Sequence, residues 1–191
     1  MIQIHDLCKS YGNEHVLNCL NLTLENDHVY CLMAPSGTGK TTLFRILMGL
    51  EKPDSGRISG LERKRIAAVF QEDRLLEGYT ALENIRFVTG HEHSNDKLVT
   101  LLKRALPADA LEKPVHEFSG GMKRRVAILR AILAPSDLII MDEPFTGLDA
   151  ETKENMIGLI KEFTYGKLLL IATHAAEDAK LLDAEVIHLD K

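Results

Sequence analysis

Alternating and continuous runs of hydrophobic residues divide the chain into predicted strands. Apolar and polar residues alternate over residues 2–4 and 20–24, with a turn signal at 11–13 between them, which predicts an antiparallel β flap. Later runs are continuously apolar, as is typical of strands buried on both faces of a parallel sheet. These runs are 29–33, 66–70, 138–141 and 168–173, the last of which ends in Thr173, and a final strand is predicted at 185–189.

Segments with helical spacing lie between those runs. Leucines three and four positions apart predict a helix over residues 41–50. Residues 80–114 are mostly helical in pattern, broken by the polar stretch 90–95, and predict a helical subdomain. Strands that alternate with helices indicate an α/β fold with a mostly parallel sheet. Further helices are predicted over residues 120–133, from 149 to about 163, and in a short segment after 173.

The composition fits one well-packed acidic domain. The 191 residues are 45% hydrophobic and carry a formal net charge of -5, so no global positive field attracts nucleic acid or an anionic bilayer. The apolar runs, among them 138–141 and 168–172, fall far short of the roughly 18 to 20 residues that span a membrane. We therefore expect no nucleic acid partner and no membrane-spanning segment.

Cysteine usage indicates an intracellular protein. Cys8, Cys19 and Cys31 are odd in number, well spaced and without a C-x-x-C pattern, which predicts reduced structural thiols in a cytosolic protein. The amino terminus has neither a basic segment nor a long apolar one, so it carries no sign of secretion.

A glycine-rich turn lies between the strand 29–33 and the helix that follows it. Residues 34–42 match a phosphate-binding P-loop, in which backbone N–H groups turn toward the phosphates. Lys40 is suited to the β- and γ-phosphates and Thr41 to a magnesium ion. A chance glycine turn is the alternative. The candidate nucleotide-binding residues here are Ser36, Gly37, Thr38, Gly39, Lys40, Thr41 and Thr42.

The first position of this loop departs from the P-loop pattern. Ala34 stands where the pattern has its first glycine. If Ala34 keeps a negative φ, the replacement is nearly neutral, whereas a positive φ would cost on the order of 1 kcal/mol. The backbone conformation of this one residue therefore decides how well the loop tolerates alanine.

Two adjacent carboxylates end the apolar strand 138–141. Asp142 and Glu143 would repel each other there unless a cation or a catalytic step employs them. Asp142 suits a magnesium ion bound at Thr41, and Glu143 suits the general base that polarises an attacking water. An ordinary strand end followed by a turn is the alternative interpretation.

A second glycine-rich turn opens the predicted helix 120–133. Ser119, Gly120 and Gly121 place a hydroxyl and backbone amides at a helix amino terminus, which suits an anion. A plain helix cap is the alternative, although it needs no double glycine. Since a nucleotide has one terminal phosphate, either the chain holds two nucleotides or two chains share each one.

With both turns and the carboxylate pair, nearly the whole chain resembles the ATP-binding cassette of the ABC ATPase superfamily. Residues 119–122 resemble the family's signature motif, with Phe118 in place of the usual leucine. The resemblance implies a P-loop NTPase core with a mostly parallel sheet, an N-terminal antiparallel β subdomain and a small α-helical subdomain. The whole of 1–191 is then a single ABC ATPase domain. Residues of about 1–30 and 56–70 contribute the β subdomain and core, about 72–133 the helical subdomain and signature, and the remainder the P-loop core.

The resemblance also assigns roles to four single residues. Tyr11 resembles the aromatic residue that stacks on adenine, and Gln71 the glutamine that contacts magnesium and water. Asp149, in 147–149, resembles part of the loop that meets its counterpart across a dimer. His174 resembles the histidine that contacts the γ-phosphate and positions the base. The implied catalytic set is Glu143, His174 and Gln71, and the implied magnesium set is Thr41, Gln71 and Asp142.

The family implies an assembly with several partners. Two copies bind ATP and Mg²⁺ head to tail, so that the signature of one chain caps the nucleotide on Lys40 of the other. A membrane permease docks near Gln71 on the cytoplasmic face of the membrane, together with a solute-binding protein in an importer. Residues 72–84 resemble the corresponding region of importers of nitrate, sulfonates and similar anions, which favours import. Glu77 and Gly78 replace a common Pro-Trp pair of that group.

Three other classes remain as alternatives. An exporter ATPase for lipids or peptides shares much of the same sequence. A soluble ABC protein acting on ribosomes or DNA typically has two cassettes in one chain or a long coiled-coil insertion, and neither is present here. A P-loop kinase would keep Lys40 and have no need for residues 119–121, so ATP-dependent dimerisation separates the two classes.

Overall fold

A computed structural model describes residues 1–35 and 37–189. Two β-sheets organise these residues, a three-stranded sheet in the order β2-β1-β4 and a five-stranded sheet in the order β5-β6-β7-β3-β8. The strands are β1 (Ile2–Tyr11), β2 (Glu14–Leu24), β3 (Val29–Met33), β4 (Ser55–Ser59), β5 (Ile66–Val69), β6 (Leu138–Asp142), β7 (Leu168–Ala172) and β8 (Glu185–His188).

Helices follow most strands of the larger sheet. Side chains of Thr80, Ser94, Ser119 and Asp149 accept backbone hydrogen bonds at the starts of four of them, as expected for helix caps. The helices are α1 (Lys40–Leu47), α2 (Ala81–Thr89), α3 (Asn95–Ala105), α4 (Gly120–Leu133), α5 (Ala150–Phe163) and α6 (Ala176–Leu181), with short 3₁₀ helices at Ala108–Ala110 and Val115–Glu117.

The chain divides into two compact units. The first comprises residues 1–66, 136–143 and the described residues from 166 onward. It holds the antiparallel sheet, in which β1 pairs with β2 and β4, and the parallel pairs of β6 with β7, β7 with β3, and β3 with β8. Every residue of β6 and β7 is buried, because apolar side chains on both faces of a parallel sheet are covered.

The second unit comprises residues 67–135 and 144–165. It contains α2 to α5 and the two 3₁₀ helices. A reciprocal capping box of Thr80 and Glu83 starts α2, and the buried leucines Leu98, Leu101 and Leu102 form the inner face of α3. Arg104 of α3 forms an ion pair with Glu162 of α5, Nη2 to Oε2, at 2.8 Å.

The predicted α/β fold, with its antiparallel sheet and helical subdomain, is confirmed. The local differences concern the amino-terminal strands. The alternating segments 2–4 and 20–24 predict short strands, whereas β1 has 10 residues and β2 has 11, and their pairing carries irregularities of register. The Pro-Asp-Ser-Gly sequence of residues 53–56 predicts a turn. β4 nevertheless begins at Ser55, because pairing with β1 outweighs the low strand propensity of Gly56.

Within the described residues, no helix combines the length and apolar character that crossing a membrane requires.

Candidate functional site

The P-loop connects β3 to α1, and two of its glycines take conformations that other residues avoid. Gly37 has φ 81° and Gly39 has φ 94°. A Cβ atom on Gly39 would lie 2.7 Å from the carbonyl oxygen of Val16 in β2, so strain and close approach both require glycine there. A Cβ atom on Gly37 would meet open space. The candidate Ser36 lies outside the described residues.

Lys40 is buried at the first position of α1 and holds the loop closed. Its Nζ donates hydrogen bonds to the carbonyl oxygens of Ala34 at 2.6 Å and of Pro35 at 3.2 Å. The Thr38 hydroxyl donates to the same Pro35 carbonyl at 2.6 Å. The ammonium group is thus anchored to the backbone of the loop.

The sign of φ at Ala34 decides whether alanine is tolerated at the first position of the P-loop. Among the described residues, the non-glycine positions with positive φ do not include Ala34. Alanine therefore occupies the first P-loop position without left-handed strain, and the nearly neutral alternative applies. Its side chain packs, partly buried, against the hydrophobic core of the first unit.

Thr41 and Asp142 meet at the end of β6, although 101 positions separate them. The Thr41 hydroxyl donates a 2.7 Å hydrogen bond to Asp142 Oδ2. Asp142 is buried, and its Oδ1 has no hydrogen-bond partner among the described residues. A buried carboxylate oxygen without a partner is costly, and a hydroxyl and carboxylate beside a phosphate loop fit Mg²⁺, which keeps several water ligands of its own.

Glu143 and His174 form the second close pair. His174 Nε2 lies 2.9 Å from Glu143 Oε1, with the histidine exposed and the carboxylate mostly buried. Burial raises the pKa of Glu143, while the nearby His174 and Lys40 act in the opposite direction. A raised pKa suits a general base, because it makes the carboxylate a better proton acceptor.

The backbone at Glu143 is strained. Its φ is 51°, an uncommon value for a residue with a Cβ atom, and its N–H donates to the Ala172 carbonyl of β7 at 3.0 Å. Pro144 follows, and a residue before proline is disfavoured in the right-handed helical region. The strain turns the carboxylate away from the strand direction and toward His174, as is common for residues at functional sites.

His174 is fixed by its neighbours in the chain. The Thr173 hydroxyl donates to Asp178 Oδ2 at 2.6 Å and accepts from the Ala175 N–H at 3.1 Å. Both Thr173 and Asp178 are buried. These bonds brace the turn between β7 and α6 on either side of the histidine.

A cavity of about 330 Å³ opens beside the P-loop and His174 in the first unit. Its volume lies near the lower end of the usual range for small-molecule sites. Its lining residues are Met33, Ala34, Pro35, Thr173, His174, His188 and Leu189.

Tyr11 ends β1 with its ring about half exposed, at 48%. Its hydroxyl donates to Glu51, which raises the pKa of Tyr11 and lowers that of Glu51, and it also contacts the Thr42 hydroxyl. The Lys9 ammonium lies 5.4 Å from the ring centroid. The ring is therefore held in place at its hydroxyl end, and about half of the residue stays exposed.

The second glycine-rich turn starts α4 in the second unit. The Ser119 side chain accepts a 3.3 Å hydrogen bond from the Met122 N–H, so this serine caps the helix, as its alternative interpretation has it. A Cβ atom on Gly120 would meet open space, and the residue is exposed. Gly121 lies against the loop that contains Gly147 and Leu148.

Asp149 caps α5 in the same unit. Its carboxylate accepts from the Thr152 N–H at 2.9 Å and from the Thr152 hydroxyl at 2.8 Å, and these bonds lower the pKa of Asp149. Asp149 remains exposed, at the end of the loop that contacts the start of α4.

Gln71 follows β5 in the second unit, and Arg124, which no sequence motif signals, holds its backbone. Arg124 of α4 donates hydrogen bonds to the carbonyl oxygens of Phe70 and Gln71, and its Nε lies 3.1 Å from Asp73 Oδ1. Burial raises the pKa of Asp73, while Arg124 opposes that shift. The Gln71 side chain is exposed. Arg124 thus connects α4, which begins at the second glycine-rich turn, to the segment around Gln71.

The structure gathers the candidate residues in two sets. Within the first unit it brings Thr41 to Asp142 and Glu143 to His174, and within the second it places Gly121 against residues 147–148. Three supporting residues carry no local sequence signal and were not among the candidates. Glu51 contacts Tyr11, Arg124 contacts the Gln71 carbonyl, and Asp178 contacts Thr173 beside His174.

A parallel sheet with a P-loop after β3 and an acidic pair at the end of β6 defines the class of P-loop nucleoside triphosphatases. The ABC transporter family model matches residues 17–146, and the chain belongs to that family. The chain is therefore an ATP-binding, ATP-hydrolysing subunit of an ABC transporter.

The chain is similar in sequence to proteins whose names give different transport roles. The aliphatic sulfonates import ATP-binding protein SsuB 1 of Nocardia farcinica is 36% identical over 100% of this chain and 78% of its own length. The lipoprotein-releasing system ATP-binding protein LolD of Bacteroides thetaiotaomicron is 32% identical over 100% of the chain and 97% of its own length. The Nod factor export ATP-binding protein I of Rhizobium etli is 32% identical over 95% of the chain and 62% of its own length.

Two solved structures of one bacterial ABC transporter cassette share the fold. The first, described as dimeric, has a TM-score of 0.85 and 29% identity over 99% of this chain and 94% of its own. The second, described as a dimeric post-hydrolysis state bound to ADP and Pi, has a TM-score of 0.84 and 28% identity over 100% and 94%.

Proposed function

We propose that this subunit energises transport through a separate membrane permease, by ATP-driven head-to-tail association with a second copy of itself. The arrangement of Thr41, Asp142, Glu143 and His174 carries the proposal, because it holds two carboxylates, a hydroxyl and an imidazole beside a phosphate loop. The description of the solved cassette as a dimer supports the association, and the names of the relatives support a transport role.

In the proposed site the P-loop binds the phosphates of ATP. Lys40 exchanges its bonds to the carbonyls of Ala34 and Pro35 for phosphate oxygens, and the ring of Tyr11 stacks on adenine. The full set of proposed nucleotide ligands on one chain is Tyr11, Ser36, Gly37, Thr38, Gly39, Lys40, Thr41 and Thr42.

Thr41, Asp142 and Gln71 are the proposed ligands of Mg²⁺. The orphaned Oδ1 of Asp142 and the hydroxyl of Thr41 fit this ion. When bound, Mg²⁺ neutralises charge that develops between the β- and γ-phosphates.

Glu143 then acts as general base in hydrolysis. Its carboxylate accepts a proton from the attacking water, whose oxygen bonds to the γ-phosphorus as the bond to the bridging β,γ-oxygen breaks, giving ADP and phosphate. His174 Nε2 lies 2.9 Å from this carboxylate, and the imidazole is the proposed donor to the γ-phosphate. The burial that raises the pKa of Glu143 keeps the base well matched to this proton transfer.

A second copy completes the site. Ser119, Gly120 and Gly121 of the partner subunit present amides and a hydroxyl to the γ-phosphate at the amino terminus of α4, and Asp149 lies in the loop that meets its counterpart. Because one nucleotide is bound from two chains, the two glycine-rich turns of one chain belong to two different sites. The compact units act together in one ABC ATPase domain over residues 1–191.

The permease is proposed to dock on the second unit near Gln71, at the cytoplasmic face of the membrane. Tyr79 and Phe87 support this placement, since both are exposed and pack edge to face, with ring centroids 5.3 Å apart. The relatives' names include import, export and release, so the proposed role is transport without an assigned direction. In an importer a solute-binding protein would complete the assembly.

Copurification from native membranes tests the permease proposal. The tagged chain, with ATP and Mg²⁺, is expected to retain an integral membrane protein after detergent extraction, and a Tyr79→Ala, Phe87→Ala double variant to lose it. Tyr165→Ala is the matched control, because Tyr165 is 93% exposed and lies elsewhere in the same unit. Equal recovery with all three proteins, or copurification with ribosomes instead, would refute the proposal and favour a non-transport ABC ATPase.

A further inference from the structure

Two cysteine sulfur atoms lie close together in the antiparallel sheet, and neither cysteine is among the candidate residues of the nucleotide site. Cys8 of β1 and Cys19 of β2 have their Sγ atoms 3.3 Å apart. Both are free thiols, one partly exposed and the other exposed. The sequence predicts well-separated structural thiols, and strand pairing instead places two of them in contact.

A β-bulge creates this contact. Leu7 faces Leu20 and Lys9 faces Leu17, so Cys8 alone stands opposite two residues, Asn18 and Cys19. An extra residue of this kind rotates the local backbone, and Cys19 has φ 49°, in the left-handed region. The irregular pairing brings the two thiols to the same side of the hairpin.

Hydrogen bonds fix the bulge in place. The Asn21 side chain accepts from the Asp6 N–H at 3.0 Å, and its Nδ2 donates to Asp6 Oδ1 at 2.9 Å and to the Cys19 carbonyl at 3.0 Å. Cys8 Sγ also lies 3.3 Å from the Asp6 carbonyl, to which its thiol donates. The sulfur pair is therefore part of an ordered hydrogen-bonded corner.

The two thiols differ in chemistry. Hydrogen bonds from the Ser55 hydroxyl and from the Cys19 thiol and N–H lower the pKa of Cys8, against opposing contributions from burial and Asp6. Contact with Cys8 raises the pKa of Cys19. By contrast, burial raises the pKa of Cys31 to about 12. Because the thiolate is the nucleophile, Cys8 is the thiol that reacts first.

We propose that Cys8 and Cys19 form a two-thiol modification site that is oxidised to a disulfide by a low-molecular-weight disulfide such as oxidised glutathione. The sulfur atoms need to approach by only about 1.3 Å to reach the length of an S–S bond, and both belong to paired strands of one compact unit.

The exchange balances in two steps. The Cys8 thiolate attacks one sulfur of the small disulfide, forms a mixed disulfide and expels one small thiolate. The Cys19 thiol then loses its proton and attacks Cys8 Sγ, which forms the protein disulfide and expels the second small thiolate. The two protein thiols lose two electrons and two protons, and the small disulfide is reduced to two thiols.

Mass spectrometry of the intact folded chain tests this site. The reduced protein is incubated with oxidised glutathione without oxygen and quenched with acid. We expect the internal disulfide, a loss of about 2 Da, to exceed the mixed disulfide by more than about tenfold, because the second thiol is held at a high effective concentration. Non-reducing digestion is expected to yield a Cys8–Cys19 linked peptide and unmodified Cys31.

Matched variants distinguish pairing from general thiol reactivity. Cys31→Ser is expected to behave like the parent protein, whereas Cys8→Ser is expected to stay largely unmodified and Cys19→Ser to stop at the mixed disulfide. The proposal is overturned if the parent protein yields only mixed disulfides, or if the linked peptide contains Cys31. None of these readouts depends on ATP hydrolysis or on a permease, so the test stands apart from the proposed function.

Discussion

His174 Nε2 and Glu143 Oε1 lie 2.9 Å apart, at the ends of two neighbouring parallel strands. The imidazole comes from the turn after β7 and the carboxylate from a left-handed residue after β6. The positive φ at Glu143 aims the carboxylate, and the bonds around Thr173 fix the turn that bears the histidine. Local backbone strain and a braced turn together position this pair.

Glu143→Gln is the first test of the proposed chemistry. The amide keeps the size of the side chain and cannot accept the proton, so we expect turnover to fall by roughly 10²- to 10⁴-fold while ATP binding persists. With ATP and Mg²⁺, the variant should accumulate as a dimer in size-exclusion chromatography with light scattering. Glu92→Gln, on an exposed loop, is the control and should retain activity. A strictly monomeric Glu143→Gln protein would contradict the shared site.

The acidic limb of the pH profile should report the environment of Glu143. Burial raises the pKa of Glu143, so its carboxyl group ionises at a higher pH than an ordinary glutamate does. Because only the ionised carboxylate can act as the base, kcat should rise as the pH passes through this raised pKa. Because His174 lowers the pKa of Glu143, His174→Ala should move the limb to still higher pH. Steady-state kcat measured across pH for both proteins checks this. A limb at the ordinary glutamate value, unmoved by His174→Ala, would argue against Glu143 as the base.

Lys40→Ala should greatly weaken the binding of ATP. The ammonium is the buried cation of the P-loop, and we expect ATP affinity to fall by about 100-fold or more, equivalent to about 2.7 kcal/mol. Calorimetric or fluorescence titration measures the change, with the exposed Lys52→Ala as the control. If the Lys40→Ala variant bound ATP as tightly as the parent protein, the assignment of residues 34–42 as a P-loop would be wrong.

Sequence pattern predicted the parts of this molecule that local periodicity determines. The sequence shows β3, β6 and β7 as apolar runs, because strands buried on both faces need apolar side chains throughout. It shows α4 by the spacing of the apolar residues on its buried face. Register and long-range partners are different. The bulge that joins Cys8 to Cys19, and Arg124 bonded to the Gln71 carbonyl, depend on the packing of distant segments.

Gly39→Ala and Gly37→Ala form a matched pair that separates strain from close approach. Both residues have positive φ, so each substitution should cost on the order of 1 kcal/mol in the free energy of unfolding from backbone strain. Only at Gly39 would the new methyl lie 2.7 Å from the Val16 carbonyl, so its variant should lose a further 1–3 kcal/mol, approximately, from overpacking. Urea unfolding of the nucleotide-free proteins measures both. Equal losses would show that β2 does not constrain the loop.

Ala34→Gly tests whether the unusual first P-loop residue matters for ATP. Since Ala34 does not have positive φ, glycine brings no relief of strain and instead enlarges the conformational freedom of the unfolded chain. We expect the free energy of unfolding to fall by about 0.4–1 kcal/mol, with ATP affinity unchanged within about twofold. Urea unfolding and ATP titration of the same preparation measure the two quantities. A gain in affinity of tenfold or more, about 1.4 kcal/mol, would mean that alanine restricts the loop when phosphate binds.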